Sequence, residues 1–217
     1  MKIGLIHATT TAVEPIIQAF RKEDAGEIEL LHYMDTGLLS MMEESGSLTP
    51  EIIRRFSTLV TLAAQSEVDC VQLTCSAFNN ITSILQPLYP MKLFRSDEAM
   101  LDEALAYERI GLISTVRETP IALISYLRDK KPDVQVESLV ESGLIHMLFQ
   151  GKKEQHDEKV RNMIGEIEGK VDVIVLSQYS MEHVADQIQT SVPILTAPGA
   201  AAQKCLAYVR GLPTSIS

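Results

Sequence analysis

The chain states one pattern twice. Val68–Asn80 reads VDCVQLTCSAFNN and Val171–His183 reads VDVIVLSQYSMEH. Aligning Asp69 with Asp172 pairs Leu73 with Leu176, Thr74 with Ser177 and Cys75 with Gln178. A second echo lies upstream of each: IGLI begins at Ile3 in KIGLIH and again at Ile110 in RIGLIS. The offset between copies is 107 residues at Ile3 and 103 at Asp69, as in a duplication with a few residues gained or lost between landmarks. All four segments are short apolar runs closed by polar turn residues, the pattern of strands buried on both faces of a parallel sheet.

Helix signals alternate with these strands. The first lobe is expected to hold strands at Lys2–His7, Glu27–Tyr33, Val68–Thr74 and Met91–Phe94. Its helices start at a Thr11-x-x-Glu14 capping box and at Thr49-Pro50, and another runs from Ala77 to Gln86. Ser96 is expected to cap a helix over Asp97–Tyr107, after which the pattern restarts. Arg109–Ser114, Val134–Val140, Val171–Leu176 and Val192–Thr196 are the expected strands of the second lobe. Its helices begin at Thr119-Pro120 and Lys153, and a last one runs from Pro198 to a Gly211 C-cap. Strand–helix alternation predicts an α/β fold of two pseudo-symmetric lobes, each an approximately four-stranded parallel sheet flanked by helices. The lobes are expected to divide as 1–95 plus 198–217 and 96–197, with the C-terminal helix returning to the first.

Composition narrows the function. The chain has 217 residues and a net charge of −10, with its 19 Lys and Arg scattered rather than clustered. That opposes a nucleic-acid surface, which needs concentrated positive charge to displace counterions from phosphates, and it opposes attraction to anionic lipid. No run of about 18 apolar residues could span a bilayer. Met1-Lys2 leads directly into a strand-like run without a signal-peptide pattern, so a cytoplasmic protein is expected. Cys70, Cys75 and Cys205 form no CxxC pair, and the five histidines form no HExxH, so no metal site or disulfide framework is expected. There is no GxGxxG after the first strand and no P-loop, which removes dinucleotide binding and nucleoside triphosphate hydrolysis.

Ligands of open parallel sheets bind beyond the carboxyl ends of the strands. The loops there carry His7-Ala8-Thr9-Thr10, Cys75-Ser76-Ala77, Ser114-Thr115-Val116-Arg117 and Gln178-Tyr179-Ser180, with Asn79 just beyond Cys75. Hydroxyls, amides and helix N-termini dominate, a set suited to a carboxylate. Cys75 has two readings, as a small buried hydrophobe or as a thiolate stabilised at a strand–helix turn. Cys70 and Cys205 read as packing residues. His7 and His183 flank the loops, either as structural residues or as proton carriers. Thr9, Ser76 and Thr115 serve equally as caps and as ligand contacts. Asp35 reads as a turn former, Arg117 as an exposed loop residue, and Gly151–Lys159 as a solvated helix start.

The ordered set IGLIHATTT at 3–11, LTCSAFNN at 73–80, RIGLIST at 109–115 and VIVLSQYSM at 173–181 resembles the aspartate/glutamate racemase superfamily. That superfamily includes hydantoin racemases, maleate isomerases and arylmalonate decarboxylases. The resemblance spans nearly the whole chain and implies an active site in the interlobe cleft, no cofactor, and a homodimer. The implied chemistry removes and returns a proton next to the carboxylate or carbonyl of a small acid. Two-cysteine members place one thiol on each face of the reacting carbon. Cys75 matches the first-lobe thiol, and Gln178 stands where the second would be. An amide has no useful pKa for proton transfer. Either another group such as His183 substitutes for the second thiol or the reaction is one-sided; the resemblance implies a one-thiol isomerase or racemase-like enzyme with Cys75 as acid/base or nucleophile and Gln178 orienting the substrate. His7, Thr9, Thr10, Ser76, Asn79, Ser114, Thr115, Tyr179 and Ser180 are the expected substrate contacts. Decarboxylase or lyase chemistry, with the single thiol as proton donor, and non-catalytic binding of a small acid are the alternatives.

Overall fold

The computed structural model describes residues 1–24, 27–117 and 119–211. These divide into two compact units, Met1–Ser96 together with the described residues from Ala201 onward, and Asp97–Ala200. Residues 212–217, expected to end the first lobe, lie outside the described residues.

In the first unit β1 (Lys2–His7) leads to α1 (Val13–Glu23), β2 (Glu29–Met34), α2 (Gly37–Ser45) and α3 (Pro50–Gln65). β3 (Cys70–Leu73), α4 (Ile81–Leu85) and β4 (Lys92–Phe94) follow. The second unit holds α5 (Glu98–Ala104), β5 (Arg109–Ser114), α6 (Thr119–Lys130), β6 (Gln135–Val140) and α7 (Leu144–Phe149). It continues with α8 (Lys153–Ile167), β7 (Val173–Leu176), α9 (Glu182–Ala185) and β8 (Ile194–Thr196). The last helix, α10 (Ala197–Val209), is followed by Gly211 at φ 66, the left-handed conformation of a helix terminus. Among the described residues no helix is long and apolar enough to cross a membrane.

Each unit carries one four-stranded sheet, ordered β2-β1-β3-β4 and β6-β5-β7-β8, and every pairing is parallel. The two copies share a register as well as an order: Ile3 lies opposite Cys70, and Ile110 opposite Val173. Small devices recur with it. The Lys2 N–H donates to Asp69 Oδ2 at 2.7 Å, and the Arg109 N–H to Asp172 Oδ2 at 2.9 Å. These two aspartates pin the start of the central strand to the loop before its neighbour.

Gly4 and Gly111 occupy equivalent central-strand positions where a helix approaches closely. A Cβ on Gly4 would lie 3.3 Å from Val71 Cγ2 and 3.4 Å from Ala63 of α3. One on Gly111 would lie 3.0 Å from both Ile167 Cδ1 of α8 and Val171 Cγ2. Each sheet thus lies close under a helix at a glycine, most tightly at Gly111, and strand faces rich in Ile, Leu and Val close the cores. In the first unit Ile6, Leu38, Phe56, Val60, Leu73 and Phe78 pack in one cluster; in the second, Ile113, Val160, Ile164, Ile174 and Leu176 do.

α10 is joined to the first unit by the Cys205 thiol donating to Gln72 Oε1 at 3.2 Å and by Arg210 pairing with Asp24 at 2.5 Å. The ring of Tyr208 meets that of Phe94 edge-on, 5.4 Å between centroids.

Several local expectations are corrected. Thr11 and Glu14 form no capping box: Thr11 shares a hydroxyl contact with Thr9, Glu14 accepts from Gln18, and α1 starts at Val13 after a single 3-10 turn, Thr10–Ala12. Ser96 does not cap α5. Its N–H and hydroxyl both bond Asn79 Oδ1, and Asp97 precedes the helix. The expected helix 77–86 is broken into a 3-10 turn at Ser76–Phe78, the short α4, and a second 3-10 turn, Gln86–Leu88, at Pro87. α2 and α7 were not expected. Thr49 does cap α3, accepting the Ile52 N–H at 3.3 Å.

Candidate active site

In each sheet the strand order reverses between the first and third strands of the unit, so their carboxyl ends flank a topological switch point. The loops leaving β1 and β3, and those leaving β5 and β7, therefore stand where open parallel sheets receive ligands.

In the first unit Thr74 closes this position from below. Its N–H and its hydroxyl both donate to the Ile6 carbonyl, at 3.1 and 3.2 Å. With its proton so used, Thr74 Oγ1 accepts from His7 Nδ1 at 2.9 Å. His7 Nε2 is then the acceptor for His32 Nδ1, also at 2.9 Å. His7 is fully buried, and its pKa falls to about 4, first from burial and then from His32. His7 is neutral with both nitrogens engaged, so it braces the strand ends and has no nitrogen left for a substrate. The second unit solves the same problem with a hydroxyl pair: Ser114 and Ser177 meet at 2.8 Å, and the Ser177 N–H donates to the Ile113 carbonyl.

Cys75 and Gln178 follow these braces in equivalent backbone conformations, at φ −130 and −117, each preceding one 3-10 turn. Cys75 is partly buried between the strand end and the apolar cluster beneath it. Burial raises its thiol pKa to about 11; the Ala77 N–H, which bonds the sulfur, pulls it down, and Glu43 pushes it up. Of the two readings of Cys75, this shift opposes the helix-stabilised thiolate. A three-residue turn supplies one bonded N–H and almost no macrodipole, and desolvation of a sulfur anion outweighs both. Cys75 rests as a protonated thiol.

Gln178 is buried and largely committed. Its Oε1 accepts the Thr115 N–H at 2.9 Å and the Thr115 hydroxyl at 3.3 Å, while Nε2 donates to Thr119 Oγ1 at 3.2 Å. The amide ties Thr115 to Thr119 and keeps one N–H without a partner among the described residues. Thr119, whose hydroxyl completes the clamp, was read in the sequence only as a helix start.

The remaining expected contacts sort by what already holds them. Ser114 and Thr115 are fully buried and engaged as described. Thr9 is buried, with its hydroxyl 3.1 Å from that of Thr11, while Thr10 is exposed. Ser76 and Tyr179 are buried in their turns. Asn79 spends its carbonyl oxygen on Ser96 but leaves Nδ2 buried without a partner, and Ser180 Oγ is likewise buried and unpartnered. Buried polar atoms without partners are uncommon, and both of these lie one turn beyond Cys75 or Gln178. Asp35 accepts the Gly37 N–H and pairs with Arg55, a structural turn at the start of α2. Arg117 is exposed.

The sequence reading passed over a further group in the second unit. Asp157 of α8, within the stretch read as solvated, is buried and accepts from His156 Nδ1 and His183 Nε2, each at 2.8 Å on Oδ1. Lys153 Nζ holds Oδ2 at 2.6 Å. Burial alone would raise the Asp157 carboxyl; bonds from Lys153, His156 and His183 outweigh it and bring it to about 2. The four-residue spacing of Lys153 and Asp157 was legible as a helix pair, but nothing local announces that the carboxylate turns inward.

No family model matches the chain, and no curated protein matches it in sequence. Solved structures do match in fold. Aspartate racemase from Picrophilus torridus superposes with a TM-score of 0.74 at 14% identity, over 97% of this chain and 94% of the racemase. An aspartate racemase homologue from Pyrococcus horikoshii OT3 gives 0.69 at 16% identity, over 96% and 99% of the two chains. Allantoin racemase from Klebsiella pneumoniae gives 0.66 at 19%, over 99% and 90%. The chain has the fold of the aspartate/glutamate racemase superfamily.

Proposed function

We propose that this chain is a cofactor-independent enzyme of racemase or isomerase type, moving a proton at the carbon next to the carboxylate of a small acid. Cys75 is the group that gives and takes the proton. The observation that carries this reading is a lone thiol, protonated at rest, in the loop at the switch point of a sheet. The shared fold supports the class of reaction, since the matched proteins are racemases of aspartate and allantoin. Asn79 Nδ2, buried without a partner among the described residues, is the donor proposed to bind a carboxylate oxygen near Cys75; Ser180 Oγ, buried in the same way, is a proposed donor in the second unit. Thr9, Thr10, Ser76 and Tyr179 complete the proposed contacts, and the uncommitted N–H of Gln178 orients the substrate.

A second reading has its own support. A thiol that rests protonated is a proton donor first, and its counterpart Gln178 is an amide that cannot titrate. Both features suit a decarboxylase, in which loss of carbon dioxide leaves its electron pair on the substrate as an enolate. The Cys75 S–H then protonates that carbon, and the thiolate regains its proton from solvent.

A thermal-shift screen of mono- and dicarboxylates, keto acids and hydantoins, with aspartate and allantoin among them, tests the ligand class. The expected result is a shift with a small carboxylate or hydantoin that changes in Asn79→Ala and Ser180→Ala. Shifts by unrelated neutral compounds alone would count against it. A ligand that turns over with release of carbon dioxide selects the second reading.

A further inference from the structure

We propose that His183, held by Asp157, is the acid/base of the second unit, moving the substrate's α-proton through its Nδ1. The inference rests on the proton-transfer reading above.

The geometry is that of a carboxylate-anchored imidazole. His183 opens α9, five residues after Gln178, at the carboxyl end of β7. α8 begins at the same end of the sheet, because it runs back against the strands: Lys159 pairs with Glu141 just past β6, while Ile167 lies over Gly111 early in β5. The first turn of α8 thus delivers Asp157 to the loop that carries Gln178. His183 Nε2 donates to Asp157 Oδ1 at 2.8 Å, so the neutral imidazole held this way is the tautomer with its lone pair on Nδ1. Nδ1 keeps its lone pair and has no hydrogen-bond partner among the described residues, and the side chain is 29% exposed. His7 offers a useful contrast, with both nitrogens bonded and no exposure.

The charged and titratable groups facing His183 are Asp157, His156 and Lys153 from α8; Glu182 and Asp186 are its neighbours along the chain. Each has a role consistent with an anchored base. Lys153 occupies Oδ2 and leaves Oδ1 to the two rings. His156 is fully buried, with its pKa lowered first by burial, and it donates Nδ1–H to Asp157 while Nε2 has no partner. An orphaned lone pair costs less than an orphaned N–H. His156, Asp157 and His183 place nitrogen and oxygen donors within 4.8 Å of one another, as a transition-metal site would. A metal on His156 Nδ1 would force the proton onto Nε2, where a buried N–H would have no acceptor. Metal-bound histidines normally give that second N–H a partner, and here there is none. The proton network fits the cluster better.

In the step itself, His183 Nδ1 takes the hydrogen from the α-carbon, and the C–H electron pair moves into the enolate of the adjacent carboxylate or carbonyl. Asp157 stabilises the resulting imidazolium. Return of a proton to carbon from the imidazolium closes the cycle. Asp157 is a positioning residue: it sets the tautomer and does not itself accept the proton.

The test incubates the wild-type protein, His183→Gln, His183→Ala and Asp157→Asn in D2O with the carboxylate, keto-acid and hydantoin panel above. α-Deuterium incorporation is followed by NMR, and thermal melts serve as a check on folding. The expected result is a loss of roughly 10²–10⁴-fold in kcat for His183→Gln with KM nearly unchanged. Added imidazole should restore part of the rate in His183→Ala, and Asp157→Asn should slow exchange while altering its pH profile. A purely structural histidine would give no imidazole rescue. Exchange lost in Cys75→Ala but kept in a folded His183→Gln overturns this inference alone. No exchange by the wild-type protein with any compound of the panel removes the proton-transfer reading with it. Stoichiometric Zn²⁺ binding that Asp157→Asn abolishes also overturns it, by making the histidines ligands.

Discussion

At the scale of single residues, protonation states in this chain follow burial more than local motif. Cys75 sits where a helix N-terminus should favour a thiolate, yet burial lifts it to about 11, against an ordinary value of 9.0. Alkylation of Cys75 by iodoacetamide at pH 7.5 is therefore expected to be roughly 100-fold slower than for an exposed cysteine, in proportion to its thiolate fraction. Glu43→Gln should speed it; a wild-type rate matching free cysteine would contradict the assignment. His7 makes a stability prediction. Its folded pKa is about 4 against 6.5, so between those values the unfolded chain binds a proton that the folded chain refuses. Stability contributed by neutral His7 is full above pH 6.5 and declines as pH falls toward 4. Between pH 7 and pH 5 the wild-type protein should lose on the order of 2 kcal/mol more than His7→Gln in urea titrations. Equal losses in the two proteins would show that His7 titrates normally.

At the scale of elements, the strands were the legible part. Their apolar runs are continuous and their copies align, so Lys2–His7 and Arg109–Ser114 were readable to the residue. Proline-marked helix starts were legible too, because Thr49 needs only its own backbone to cap α3. Caps that compete with tertiary contacts were not. Ser96 carries every feature of an N-cap but is drawn away by Asn79, and Thr11 is drawn away by Thr9. The duplicated glycines give a test at this scale. Gly111→Ala would set a methyl 3.0 Å from two side chains, whereas Gly4→Ala meets nothing closer than 3.3 Å. Gly111→Ala should cost about 1–3 kcal/mol by overpacking and Gly4→Ala clearly less, by chemical denaturation. The reverse order would mean that α8 yields more easily than α3.

At the scale of the whole molecule, the repeat explains why the two units share one architecture. Each unit repeats the strand order, the register and the brace beneath the switch-point loop, yet the loops themselves diverge. A thiol stands in one copy and an amide clamp in the other. Alignment of the copies pairs Cys75 with Gln178, and the two share a backbone conformation. It does not reveal Asp157, which meets His183 only when α8 folds against α9. Residues that act through packing between elements distant in sequence leave no local signal. The central claim is that Cys75 moves a proton at an α-carbon. Its most direct measurement is α-deuterium incorporation into a small acid in D2O by the wild-type protein and by Cys75→Ala. Incorporation by the wild type that falls at least about 100-fold in a folded Cys75→Ala is the predicted result. Exchange that continues undiminished without the thiol would contradict it.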